Sequence, residues 1–338
     1  MRILVAATVI ALAAMGGFAA RDAYAWGKFG HLTVCDLAYR NLTDPSKAEL
    51  KRLFKAGNGG IFVEGRGKLD DRTYTSFNVG CLEEDALPRR HADDHFLNVP
   101  RTTTSIESAS CTVGASCVFA GIERDLAILA DRSQSDDARV FALMAVGHWI
   151  GDLHQPLHIS FADDLGGNRI TVELDGRCGR SSGAKPKNLH AVWDNCLQEA
   201  GMFERVRERA DFKKSWSKNT ITYRAVDTLL VNTSLTEEKA LVGTDLALWA
   251  NESYQITIDP NALYCVKVGP RCNYSENADE HRSNDDERSL AISQQYLEAF
   301  DRVAEDLVRR AGFRLAHLMN IALDPSYREP IQNSTQIP

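Results

Sequence analysis

From His148 to His158 the chain reads His-Trp-Ile-Gly-Asp-Leu-His-Gln-Pro-Leu-His, a run that holds three imidazoles and one carboxylate. Imidazole and carboxylate at these spacings are the equipment of a metal site. On a helix, His148 and Asp152 stand at i and i+4 on one face, and Pro156 ends the helix so that His158 turns back toward them. Asn188-Leu-His-Ala-Val-Trp-Asp194 repeats the device, with His190 and Asp194 again at i and i+4. The whole chain has nine histidines, so two such pairs point to metal binding rather than to a solvated surface. His154 projects away from His148 and reads as a buried, hydrogen-bonded residue behind the ligands. Trp149 and Trp193 read as core walls, and His91, His281 and His317 as surface or packing residues. Further ligand types lie upstream: His31, five residues after Trp26; Asp85 in Cys81-Leu-Glu-Glu-Asp; and His95 in His-Phe-Leu-Asn.

The elements that must carry these residues are mostly helices. Residues 118–131 and 136–153 have apolar positions at helical spacing, and the second stretch bears His148 and Asp152. Asp44-Pro45 reads as an N-cap with proline at the first helical position, opening a helix through residue 55. Further helical patterns cover 189–200, 203–216, 222–230, 237–254 and 290–322. The turn cluster Asp163-Asp164-Leu-Gly-Gly-Asn168 precedes an alternating run at 169–175 that reads as a strand, and one short hairpin is the expected β content. The expected fold is therefore mainly α, a single multi-helix domain with a short β-hairpin. No break in composition marks a second domain. Residues 57–67 and 102–117 read as surface loops, and 277–288 as a solvated charged loop.

Charge and cysteines bound what the site acts on and where. The 338 residues carry a net charge of −7, so the basic groove of a conventional nucleic-acid binder is not expected, and an anionic ligand has to be drawn by bound cations. Arg2, an apolar run and Ala23-Tyr-Ala25 read as a secretory signal over 1–25, with Trp26 as the new amino terminus. The domain then spans 26–325, followed by a polar tail at 326–338. Eight cysteines, none in a C-x2-C pair, favour disulfides in an oxidising compartment. Cys111 with Cys117 and Cys265 with Cys272 suit short-loop bridges; Cys178 with Cys196 and Cys35 with Cys81 follow by weaker argument. No other stretch is long and apolar enough to span a bilayer, which puts the mature chain in the periplasm or outside the cell with no membrane partner. Asn41, Asn232, Asn251, Asn273 and Asn333 stand in glycosylation sequons, which matter only in a glycosylating host.

Taken together, the pattern resembles the S1/P1 family of single-strand-specific zinc nucleases, within the phospholipase C/nuclease superfamily. Its marks are Trp26 with His31 five residues on, the run His-x3-Asp-x-His-Gln-Pro-Leu-His, Gly-Gly-Asn168, Asn-Leu-His-x2-Trp-Asp, and Arg314-Leu-Ala-His-Leu-Met-Asn320. The resemblance implies three zinc ions. One is held by Asp85, His95, His148 and Asp152, a second by His158, His190 and Asp194, and a third by the Trp26 amino group and carbonyl, His31 and the other oxygen of Asp152. It implies an exported, monomeric, zinc-dependent endonuclease that hydrolyses phosphodiester bonds of single-stranded DNA and RNA to 5′-phosphate products, with 3′-nucleotides as further substrates. Asp85 and Asp152 would then serve catalysis as well as metal binding. Phe96 matches an aromatic on which a base stacks, with core packing as the competing reading. Asn98 matches a base-binding carboxylate, and Asn168 is a candidate phosphate or sugar contact whose other role is that of a turn residue.

The chain departs from the family at one catalytic position. The arginine expected three residues after Asp85 is Pro88, which leaves Arg89 or Arg90 to supply a guanidinium to the phosphate. The interval from Asp85 to His95 is also short, and Asp70-Asp71 is the competing carboxylate source. Two rival functions are a zinc phospholipase C acting on phospholipid head groups and a non-catalytic zinc store. The close spacing of Trp26 and His31 and the use of Asp194 argue against the first, and the open coordination positions argue against the second.

Overall fold

The computed structural model describes residues 26–56, 76–175, 178, 185–231, 241, 243–281 and 287–328. The signal, the 57–67 loop, Asp70, Asp71, Asn232, Asn333 and most of the tail lie outside the described residues.

Helix Asp136–Leu153 is the axis of the molecule. Ser135 caps it, its Oγ accepting from Ala138 N at 3.2 Å, and Asp136 and Asp137 place negative charge at the positive end of the helix dipole. From Val140 to Leu153 every described side chain but Phe141 is buried, because helices Asp44–Ala56, Lys28–Arg40, Val118–Ala130 and Gln294–Leu323 pack around it. A fully buried residue such as Ile150 contributes about 1.5–3 kcal/mol of transfer free energy, so Ile150→Ala is expected to loosen the element that carries the ligands. The opening helix Lys28–Arg40 bears His31 and packs along the closing helix Gln294–Leu323. One apolar core joins these helices and encloses Trp26, Trp149, Trp193 and Trp249.

The mainly helical, single-core architecture matches the sequence expectation, and several boundaries are corrected. The cap of helix Asp44–Ala56 is Thr43 rather than Asp44: Thr43 Oγ1 accepts from Ser46 N at 3.2 Å. The 203–216 pattern stops at Glu208, and the next helix, Lys218–Val231, starts where Ser217 Oγ accepts from Thr220 N at 3.1 Å. Asp245 caps Leu246–Thr257, which shortens the helix expected over 237–254 at its start; residues 237–240 and 242 lie outside the described set. The closing helix begins only at Gln294, where Ser293 caps it, since 288–293 is extended.

The β structure differs most from expectation. Strands β1 (Leu97–Asn98) and β2 (Ile159–Ser160) form a short parallel pair. The alternating run is strand β3 (Ile170–Asp175), but its partner is distant: β6 (Arg288–Ser293) lies parallel to it, with Ile170 opposite Arg288 and Asp175 opposite Ser293. The hairpin is formed instead by β4 (Val266–Val268) and β5 (Arg271–Asn273), closed by the Cys265–Cys272 disulfide. Cys111–Cys117, Cys178–Cys196 and Cys35–Cys81 are also bonded, so all four expected pairings hold. No helix among the described residues is long and apolar enough to cross a membrane.

Candidate metal centre and substrate cavity

The i, i+4 spacing on the axial helix puts His148 Nε2 3.4 Å from Asp152 Oδ2. His95 closes the 3-10 turn Ala92–His95, and its Nδ1 lies 3.1 Å from both Asp152 Oδ2 and His148 Nε2. His31 enters from the opening helix, with Nε2 3.3 Å from Asp152 Oδ1 and its ring stacked on His148 at 3.9 Å between centroids. Gly151 permits that approach, because a Cβ there would lie 2.8 Å from His31 Nδ1. Asp85, in the turn Glu83–Asp85, stands with Oδ1 3.9 Å from His148 Nε2. Trp26 is fully buried beside this group, and the next amide, Gly27 N–H, donates to the Asp194 carbonyl at 2.8 Å.

A second group assembles across the cavity floor. Past Pro156 the chain turns as expected, and His158 Nδ1 comes 3.9 Å from Asp152 Oδ2. Asn188 caps the turn Leu189–Ala191, which runs into the π-helix Val192–Leu197. On it, His190 Nε2 and Asp194 Oδ2 are 3.3 Å apart, and the His158 and His190 rings are 5.0 Å apart. The eight side chains expected as ligands thus gather in three sets, two of which share His148: His31 with Asp85 and His148, His95 with His148 and Asp152, and His158 with His190 and Asp194.

The donors fit metal ions. A backbone carbonyl can only accept, so His148 Nδ1 donates to Cys81 O at 2.7 Å, His190 Nδ1 to Gly166 O at 2.7 Å, and His158 Nδ1 to His95 O. Each bond orients its ring and turns Nε2 inward, as carbonyl partners of metal-binding histidines do. The Nε2 atoms of His31, His95, His158 and His190 and Oδ1 of Asp152 are buried with no hydrogen-bond partner among the described residues. Leaving such atoms unsatisfied costs about 1–3 kcal/mol each, a cost that coordination to a cation removes. Burial holds His158 down at about 3 and His190 at about 4, so both are neutral bases at physiological pH. Burial also lowers His31, with His148 adding to it. For Asp152 burial acts upward, but the neighbouring His148 prevails, with a hydrogen bond from His31 adding to it, and holds it well below the usual carboxylate range. His148 is pushed up to about 9, where Asp152 and Asp85 overcome the opposing effect of burial. Burial drives Asp194 well up despite a 2.7 Å hydrogen bond from Gln155 Nε2; an adjacent cation is what ionises such a carboxyl.

Above these groups opens a cavity of about 450 Å³ lined by Arg89, Asp93, Phe96, Asn98, Leu165 and Asn168 among others, with His95, His158 and His190 at its base. The two arginines left open by the sequence face different ways. Arg89 lines the cavity and places Nη2 2.8 Å from Asp85 Oδ1, whereas Arg90 turns to Glu84 at 2.7 Å and lies over the Phe141 ring. Phe96 and Asn98 both border the cavity. Asn168 borders it too while serving its own turn, with Nδ2 donating to Leu165 O at 2.8 Å.

Histidines outside the set behave as expected. His154 is fully buried, donates from Nδ1 to Ile150 O at 2.8 Å and meets Arg314 Nη1 at Nε2. His91 pairs with Glu84, His281 packs on Tyr274, and His317 meets the Tyr327 hydroxyl. Trp149 and Trp193 are fully buried walls. Sequence reasoning missed Gln155, which steadies Asp194, although its place between Asp152 and His158 is a signal. It also missed the three carbonyls that orient the imidazoles, since a carbonyl leaves no mark in a sequence.

Buried imidazoles and carboxylates converging under an open cavity, on a helical scaffold, define a metal-dependent hydrolase. Residues 26–324 match the S1/P1 Nuclease family, and the chain belongs to that family. It is 25% identical to Endonuclease 4 of Arabidopsis thaliana over 309 residues, covering 88% of this chain and 89% of that protein. It is 26% identical to Nuclease S1 of Aspergillus oryzae over 307 residues (90% and 94%) and 23% identical to Nuclease P1 of Penicillium citrinum over 307 residues (87% and 97%). The protein is therefore a phosphodiester hydrolase, and the nuclease reading stands over the phospholipase alternative.

Proposed function

We propose that the protein is an exported, zinc-dependent endonuclease that cleaves single-stranded DNA and RNA to 5′-phosphate products and also acts on 3′-nucleotides. The observation that carries this reading is the gathering of buried imidazoles around Asp152 and Asp194, four of them with Nε2 left without a hydrogen-bond partner among the described residues, beneath a cavity bordered by an arginine and an aromatic ring. Asp85, His95, His148 and Asp152 would hold one ion, His158, His190 and Asp194 a second, and Trp26, His31 and Asp152 a third. Zinc bound there would supply Lewis-acid chemistry toward water and the phosphate oxygens.

The chain's own groups do the rest. Arg89 offers a charge-assisted, forked donor to the phosphate from the cavity side of Asp85. Phe96 takes a base by stacking and Asn98 offers it one donor and one acceptor. A base reaches Phe96 only when it is unpaired, which selects single strands over duplexes. The positive charge of bound ions would let a net-acidic chain attract phosphodiesters locally.

The test is release of acid-soluble nucleotides from single-stranded DNA and RNA by the signal-cleaved protein, zinc-loaded and chelator-treated, beside Asp152→Asn. Zinc-dependent release that the variant lacks is expected. No release from a folded, zinc-containing protein would refute the reading.

A further inference from the structure

The loop between β2 and β3 needs outside support. Leu165, Gly166 and Gly167 are all at left-handed φ, 56°, 62° and 81°, a conformation that disfavours a side chain such as leucine's. Gly166 is pressed so close to its neighbours that a Cβ would sit 2.5 Å from Leu157 O. Yet this residue's carbonyl receives His190 Nδ1–H.

The support is a buried charge cluster that reaches neither ligand nor cavity. Asp164 is fully buried; its Oδ1 accepts from Gly167 N at 2.9 Å and from the Tyr264 hydroxyl at 2.6 Å, and its Oδ2 accepts from Arg101 Nη2 at 2.8 Å. Arg101 also grips Asp163 and donates from Nη1 to Cys272 O at 3.1 Å, while Cys272 N donates back to Arg101 O. One guanidinium therefore ties the segment that carries His95, Phe96 and Asn98 to the loop that carries Gly166, with the disulfide-closed hairpin as its anchor. Buried ion pairs add little stability over apolar packing, so a cluster of this cost in such a place has another use.

We propose that Asp164 is a positioning residue for His190: it fixes the Gly166 carbonyl, and through it the imidazole that completes the His158, His190 and Asp194 set. This rests on the reading of that set as a metal site. Asp164→Ala removes the acceptor of Gly167 N–H while Arg101 keeps Asp163, and Asp164→Asn retains a side-chain oxygen for that amide. Zinc-loaded wild type and variants are exposed to a graded chelator and retained zinc is counted by mass spectrometry. Mutating the outer partner of a metal-bound histidine weakens binding about 10–100-fold; Asp164 stands one bond further out, so Asp164→Ala is expected to lose one ion at chelator strength lower by about tenfold and keep the others, with Asp164→Asn closer to wild type. The kcat of Asp164→Ala falls and returns with excess zinc, at unchanged KM. Asp163→Asn, whose side chain touches no amide of the Gly-Gly turn, retains wild-type resistance to the chelator. Tyr264→Phe removes one bond to the same carboxylate and shows a smaller loss of the same ion, which keeps the test open if Asp164→Ala does not fold. Wild-type zinc retention in Asp164→Ala, or loss of all ions together with a lowered melting temperature, overturns the proposal. A wild-type chain that binds no zinc overturns the metal-site reading along with it.

Discussion

Arg89→Ala and Arg90→Ala are adjacent changes with opposite expected outcomes. Arg89 is only 19% exposed, contacts Asp85 and borders the cavity. Its loss removes a positioned cationic donor, and the loss of one such donor at a developing anion costs about 10²–10³ in kcat, or roughly 2.7–4 kcal/mol. Arg90 is 46% exposed and pairs with the buried Glu84, which His91 also meets. Losing a hydrogen bond to such a charged group costs about 1.5–3 kcal/mol and the contact with Phe141 about 0.5–1 kcal/mol, so Arg90→Ala is expected to lower the melting temperature by several degrees and leave kcat unchanged. The assay is the initial rate on an end-labelled single-stranded oligonucleotide at limiting and saturating concentrations. Zinc content is measured alongside, because Arg89 also pairs with a ligand. Arg89→Lys keeps the charge without the fork and is expected to fall between wild type and alanine. A hundredfold loss in Arg90→Ala at full zinc content, with Arg89→Ala active, would refute the reasoning.

Asn98→Asp converts a donor-acceptor amide to an acceptor. A base that accepts from the Asn98 amide loses that bond, so the kcat/KM ratios among homopolymers of different bases are expected to shift by roughly tenfold, the value of one lost hydrogen bond; unchanged ratios would remove Asn98 from base contact. Arg52, against the upward effect of burial and together with Arg139, holds Glu49 at about 2 rather than 4.5. A carboxyl depressed on folding stabilises above its unfolded pKa and loses that contribution as pH falls from 4.5 through 2. Glu49→Gln should therefore cost about 1.5–3 kcal/mol at pH 7 in urea melts, through the buried Arg139, and the gap to wild type should close near pH 2; a gap that ignores pH would count against this. Removing Cys35–Cys81, separated by 46 residues, should destabilise by about 4 kcal/mol, against about 2.5 kcal/mol for Cys265–Cys272, separated by 7, if chain entropy governs. Calorimetry of the paired serine variants decides.

What was legible in the sequence was local. His148 with Asp152 and His190 with Asp194 could be read because one helical turn fixes their relation, and Pro156 announced the bend that returns His158. The parallel pairing of β3 with β6 could not be read, since a parallel partner is a non-local choice and Ile170 and Arg288 stand far apart in the chain. Residues 290–293 share apolar spacing with the helix they precede, and only the Ser293 cap separates them. Arg89 and Arg90 looked equivalent until their side-chain directions were known. The supports of the imidazoles, Cys81 O, His95 O and Gly166 O, belong to the backbone, which every residue has alike.

Cys81 occupies two structures at once. Its carbonyl orients His148, and its sulfur is bonded to Cys35, one turn along the helix from His31. Two imidazoles of the centre are thereby braced by a bond that forms only where thiols are oxidised. Assembly of the centre is thus tied to the redox chemistry of the surroundings: a chain in a reducing compartment lacks the brace, and His31 and His148 lose a shared support.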